Sequence, residues 1–345
     1  LNSFFEPLIK LTAFHFLDIK KEFDTAISSD SISMKIHLVH LFVMSLFIGI
    51  GLQLYSKTRS VNLRNVLLNF LTYYLSLQLL IYGFDKLFKA QFFFPEPNTL
   101  FTPLKDLSTD ILYWSTMGFS RGYSMFLGTA EIIVGVLLWF KKTRLLAVVL
   151  GVGIMINVVA VNFGFDISVK LYSLFLLLSF VLLLSPYFGY LFAVFTLQDK
   201  IRKPRKPIIN IGISENWKSA LKFAVILLLL SESLFPYLQS GNYNDDAAER
   251  PLFHGAYKVS DNTLGIKRVF VHRQGYFIIQ NQQDDFQDFQ LEVDTTNQIL
   301  TLTNYYKNQT YLWRFSSLNN ELTEIYLSNP KTETLFCDRL DLTNR

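Results

Sequence analysis

The chain has 345 residues, half of them hydrophobic and 17% charged, with a net charge of +4, and its apolar residues gather in membrane-length runs. That composition belongs to a polytopic membrane protein rather than a soluble enzyme. Cys337 is the only cysteine, which excludes an internal disulfide, a CxxC dithiol relay and a Cys-ligated cluster.

Residues 1–35 show neither a basic n-region nor a cleavable apolar stretch, and they read as an outward-facing segment. Six spans are predicted over 36–55, 66–88, 121–140, 145–163, 167–188 and 219–238, within a membrane domain of 36–238. His37 and His40 head the first span, and no other span contains histidine. A bis-His haem would need ligands on facing helices, and a metal would need a third ligand, so the pair reads as polar rings at a membrane interface.

The short loops set orientation, because positive charge marks the cytoplasmic side. Lys57, Arg59 and Arg64 occupy the first loop, Lys141, Lys142 and Arg144 the third, and Lys200, Arg202, Lys203, Arg205 and Lys206 the fifth. The second loop balances Lys89 and Lys105 against Glu96, Asp106 and Asp110, and the fourth offers only Asp166. All three basic loops fall on one side, so both termini are expected to face outward.

The second loop is long, at about thirty residues, and contains Phe92-Phe-Phe-Pro-Glu-Pro97 followed by Ile111-Leu-Tyr-Trp114. Its prolines forbid one continuous helix, and its aromatics suit headgroup level. A partly buried hairpin or an interfacial helix over the outer mouth of the bundle is expected, either as an aromatic anchor or as a lid.

In the third span Glu131 stands in an otherwise uncharged run. A carboxylate at that depth costs about 2.5–3.5 kcal/mol on insertion scales, so it must be partnered, protonated or useful. Ser124, Gly128, Glu131 and Gly135 form one helical stripe, and Gly153, Asn157, Ala160 and Gly164 form another on the fourth span. Depth counting sets Glu131 opposite Gly153 and Asn157 opposite Gly128, so the two stripes are expected to pack together. Counted the same way, Gln78 is as deep as Glu131, while Tyr82, Tyr172 and Glu232 lie nearer the outer surface. Asp85, Lys86, Arg121, Asn162, Asp166 and Lys170 ring the outer end, which together would make a funnel opening outward.

After a polar linker at 239–250, residues 251–345 alternate in short runs. Strands are predicted at 253–259, 266–272, 276–280, 286–293, 299–304, 310–315, 322–327 and 335–340, with hairpin-length connections such as Ser328-Asn-Pro-Lys331. Eight sequential antiparallel strands suggest a small up-and-down barrel or a sandwich.

Two stretches carry a family resemblance. Leu80-Ile-Tyr-Gly83-Phe-Asp85-Lys86-Leu87, and Phe126-Leu-Gly128-Thr-Ala-Glu131-Ile-Ile-Val-Gly135-Val-Leu-Leu138 followed by Thr143-Arg144, resemble the DoxX family of bacterial membrane proteins. The resemblance covers residues 66–190 and implies a four-helix core. Some DoxX members are associated with quinone-linked sulfur oxidation and others with membrane redox-stress complexes. The fold class expected is therefore a membrane α-helical bundle with a DoxX-like core plus a C-terminal all-β domain.

Two functions follow. One is a non-catalytic subunit of a cell-envelope complex, in which the bundle is the anchor and the β-domain docks other envelope proteins. The other is a redox accessory protein with Gln78, Tyr82, Glu131, Asn157 and Tyr172 around a quinone headgroup. No metal site and no nucleic-acid partner are expected, membrane lipid surrounds the bundle, and any electrons would come from a partner. A small-solute transporter is disfavoured by the lack of a recognisable inverted repeat.

Overall fold

A computed structural model of the chain describes residues 2–16, 29–59, 63–196, 214–260, 262–304, 307–327 and 333–342. The basic residues of the fifth loop at 200–206 and the turn at 328–331 lie outside the described residues. Two compact units emerge, Leu1–Leu87 with Met125–Gly241 and Phe88–Ser124 with Asn242–Arg345.

The chain begins with helices α1 (Asn2–Phe16), α2 (Ile32–Arg59) and α3 (Leu63–Leu87), crosses the second loop through α4 (Pro97–Leu100) and α5 (Thr109–Phe119), and returns as α6 (Arg121–Leu137). Then come α7 (Arg144–Gly164), α8 (Lys170–Leu184), α9 (Phe188–Phe195) and α10 (Glu215–Ser240). Among the described residues, five stretches are long and apolar enough to cross a membrane: Ile32–Tyr55, Leu63–Leu87, Arg144–Gly164, Lys170–Phe195 and Asn216–Ala247. The span expected at 121–140 is shorter than that, because α6 stops at Leu137 after 17 residues. Its end tightens through bonds from Trp139 N–H to Val136 O and from Phe140 N–H to Leu137 O. The Thr143 hydroxyl then donates to Leu137 O at 2.8 Å, meeting a carbonyl left open by the helix end. Large apolar side chains such as Phe47, Phe70, Phe126 and Leu178 stand exposed on these helices, as a bilayer solvent requires.

Within this unit α3 is the hub. Leu75 and Leu79 of α3, Val134 of α6, Val148 and Met155 of α7 and Leu176 and Phe180 of α8 share one buried cluster. Leu80 of α3 joins Trp139 and Leu229 of α10 in another. The glycines of α6 fix its partner: a Cβ on Gly128 would come 2.4 Å from the backbone oxygen of Gly83, and one on Gly135 would come 3.3 Å from that of Ser76. A side chain is thus excluded at Gly128 and left little room at Gly135, where α6 crosses α3.

The second unit is a closed antiparallel barrel of β1 (Gly255–Val259), β2 (Ile266–Val271), β3 (Tyr276–Asn281), β4 (Phe286–Asp294), β5 (Ile299–Asn304), β6 (Gln309–Leu318), β7 (Glu321–Leu327) and β8 (Glu333–Leu340). Between the two architectures left open by the sequence, it is therefore the barrel: β1 pairs with β8 as well as with β2, which closes the sheet and leaves no edge. Tyr257, Val269, Phe277, Phe289, Leu300, Phe315, Ile325 and Leu335 point inward as one core, the usual filling of an eight-stranded barrel. On β1 to β3 the outer face is buried too. Ala256, Phe270 and Ile278 pack there against Phe101 of the second loop, so these strands lose the simple alternation of the others.

Candidate functional site

The expected face of α6 is buried as a stripe: Ser124, Gly128, Glu131 and Gly135 all lie inside. Its partner differs from the one expected. Gly153, Asn157, Ala160 and Gly164 of α7 are all exposed, and a Cβ on Gly153 or Gly164 would meet nothing. The reason is helical phase, since Asn157 stands two residues, or about 200°, round from the buried Met155. Asn157 is therefore exposed rather than packed against α6, and the expected pairing of the two stripes is corrected. Glu232 of α10 is likewise exposed, because the buried positions of that helix are Leu229, Ser233 and Tyr237.

Tyr74, Gln78, Tyr82 and Lys86 follow one another at four-residue intervals along α3, a polar line about 18 Å long. At one end the Tyr172 hydroxyl of α8 donates to Gln78 Oε1 at 2.7 Å and lies 3.0 Å from the Tyr74 hydroxyl. At the other end Lys86 Nζ donates to Glu131 Oε2 at 2.8 Å and sits 5.5 Å from the centre of the Tyr82 ring. Lys86 and Glu131 are both buried. Nearby, Trp139 Nε1 donates to Ser76 Oγ, and Ser76 Oγ donates to Gly135 O. Tyr237 of α10 donates to Asp85. Every one of these bonds ties α3 to a neighbour. Lys170 meets Asp166 at 2.6 Å at the start of α8, and His40 Nε2 lies 2.8 Å from Thr12 Oγ1 in α1.

A second cluster, unforeseen from sequence, sits in the loop and barrel unit. Glu96, between Pro95 and Pro97, is buried, and Arg273 from the β2–β3 turn donates to it twice, through Nε and through its backbone N–H. His254 Nε2 and His272 Nε2 lie 3.4 and 3.6 Å from the same Glu96 oxygen. The Gln274 N–H donates to His272 Nδ1, which leaves Nε2 to carry the proton of the neutral ring. Arg273 also reaches Asp245 at 2.5 Å and stacks on Phe93 with its guanidinium carbon 4.0 Å from the ring centre. Lys89, fully buried, donates to Gly118 O at 2.5 Å and meets Asp246 at 3.3 Å.

Burial alone would raise the Glu96 carboxyl, but the His254 hydrogen bond, the charges of His272 and Arg273 and the Arg273 N–H outweigh it and bring it to about 2. Burial also holds His272 below its ordinary value, against the pull of Glu96. At neutral pH His272 is therefore uncharged, while Arg273 meets Glu96 as a cation. The only sequence signal for this group is a lone carboxylate framed by prolines and aromatics; its partners lie more than a hundred residues away.

No family model matches the chain, and no solved structure matches it. A comparison with curated proteins finds 31% identity over 111 residues with the Bacillus subtilis (strain 168) protein described as uncharacterized protein YwoB, covering 32% of this chain and 70% of that protein.

Proposed function

We propose that the chain, which belongs to the family of the Bacillus subtilis protein YwoB, is an integral membrane scaffold: its helices anchor it, and its β-barrel docks other cell-envelope proteins. In this reading the helical unit is a DoxX-like bundle of six spans, with α6 crossing alongside the five longer stretches. The basic loops at Lys57 to Arg64 and Lys141 to Arg144 then face the cytoplasm, and both termini lie in the periplasm.

The observation that carries docking is on the barrel exterior. The loop covers β1 to β3, whereas Leu312 and Leu318 of β6 and Phe336 of β8 are 60%, 66% and 52% exposed. Apolar side chains of that size on a closed barrel suit a protein interface. The bundle fits an anchoring role because Glu131 already has Lys86 as its partner and the other polar groups bond helix to helix.

A second reading, a quinone headgroup held in the bundle, is favoured by the half-buried Tyr74, Gln78 and Tyr172 hydroxyl and amide groups, which form one bonded cluster. Purification of the protein at native abundance distinguishes the two. Docking predicts a stoichiometric envelope polypeptide and no bound quinone. Extracted quinone that is lost with Gln78→Leu, in a protein that travels alone, favours the second reading.

A further inference from the structure

Helix α7 has two unlike faces. Ala147, Val148, Gly151 and Met155 are buried, and a Cβ on Gly151 would come 2.3 Å from the Phe180 ring of α8. The opposite face, formed by Leu146, Leu150, Gly153, Asn157, Ala160 and Gly164, is exposed along the whole helix. These residues are spaced alternately by four and three, the repeat of a helix that winds along its length against another.

One polar side chain interrupts this seam. Asn157 lies about 10 Å from the Gly164 end of α7, within the apolar stretch, and its amide makes no hydrogen bond among the described residues. Hydrocarbon offers it no partner, and an asparagine is too short to carry its amide to the headgroups as a lysine would. The seam is therefore complete only when another helix brings a hydrogen-bonding group to that level.

We infer that this face pairs with α7 of a second copy in a parallel, two-fold dimer, in which the two Asn157 amides hydrogen-bond each other. Copies inserted by the same charge rule share one orientation, so each seam residue meets its own counterpart at the same depth. A carboxamide carries both a donor and an acceptor and is complementary to itself. Gly153 and Ala160, one turn to either side, leave room for the backbones to approach. A single asparagine in such a repeat sets the register and the number of helices that associate. A foreign helix would have to match the amide and the small residues at the same levels, whereas a second copy has them by symmetry. The inference rests on the anchoring reading, which sets α7 across the bilayer, and is independent of docking through β6 and β8.

The test uses the full-length chain. In native membranes, oxidation of Leu150→Cys and of Ala160→Cys should each give a disulfide-linked product of twice the chain mass. Leu178→Cys, on the exposed side of α8, should give none, and neither should the unaltered chain, whose Cys337 is buried. In a second arm, purified chains labelled with donor and acceptor dyes are reconstituted into vesicles at falling protein-to-lipid ratio. Energy transfer should be lost at a ratio about 10-fold higher for Asn157→Leu than for the unaltered chain. This substitution touches nothing in its own chain, so the fold is expected to stand. Vesicles of purified protein hold no envelope partner, so this arm reads the dimer whether or not the barrel docks anything. No product from either seam position, equal product from all three cysteine variants, a product with a different polypeptide, or energy transfer unchanged by Asn157→Leu would each overturn the assignment.

Discussion

Lys86 and Glu131 are both buried and meet at 2.8 Å, joining α3 to α6 a few residues from the point where Gly83 and Gly128 bring the two backbones together. The single carboxylate of α6 is therefore answered by a cation on the adjacent helix. In a low-dielectric setting such a pair specifies which helices meet more than it adds to stability.

Removing one partner leaves the other charged and buried. Glu131→Leu is expected to destabilise the detergent-solubilised protein by about 3–5 kcal/mol, while Lys86→Met with Glu131→Leu together should recover most of that loss. Thermal unfolding of the single and double variants checks it; simple addition of the two single effects would mean that the pair is not coupled.

The glycines make a sharper comparison. Gly128→Val sets side-chain atoms against the backbone oxygen of Gly83 and should cost about 3 kcal/mol or more, whereas Gly153→Ala, which points into open space, should fall within about 0.5 kcal/mol of the unaltered protein. A sensitive Gly153 with a tolerant Gly128 would restore the pairing of α6 with α7.

Cys337 reports on the barrel by itself, since it is the only cysteine and is buried, with its thiol pushed up to about 12 chiefly by burial. Its reaction with a dithiodipyridine, which proceeds in acid, should follow barrel opening. His272 is depressed in the fold, so its share of stability fades as pH falls below its ordinary 6.5. Glu96 is depressed as well, so its share is present above 4.5 and lost as pH falls toward about 2. Reactivity should rise through both windows, and Glu96→Gln should flatten the lower one. An identical acid limb in that variant would exclude Glu96 as its source.

Much of this architecture was legible. The eight strands fall almost where alternation sets them, with β5 at Ile299–Asn304 matching the run read from sequence, because one buried face per strand imposes period two. The five longer helical stretches were legible through apolar length, whereas the span expected at 121–140 falls short of it. What could not be read was phase and long-range partnership. Asn157 and Glu131 carry similar stripes, yet only one stripe is buried, and depth counting does not say which way a side chain points. Of the five candidates Gln78, Tyr82, Glu131, Asn157 and Tyr172, four lie along the polar line of α3 or on its partners, while Asn157 faces outward. Phe270 and Ile278 break alternation because a loop about 170 residues earlier covers them, and the Glu96 group hides for the same reason.

That covering has its own consequence. Residues 250–345 alone would expose Ala256, Phe270 and Ile278 and strip Arg273 of Glu96, so they should aggregate or melt without cooperativity. A fusion of 88–120 to 242–345 through a flexible linker should be soluble and melt in one transition. Equal behaviour of the two would show that the loop is not part of the barrel's core.

The docking claim is tested most directly by photo-cross-linking in intact cells, with a photoreactive residue at Leu312 or Phe336 and a control at the exposed turn residue Thr295. Discrete adducts to one envelope protein from Leu312 and Phe336, and none from Thr295, are the predicted result. No adduct from either barrel position in correctly inserted protein, or the same smear from all three, would contradict it.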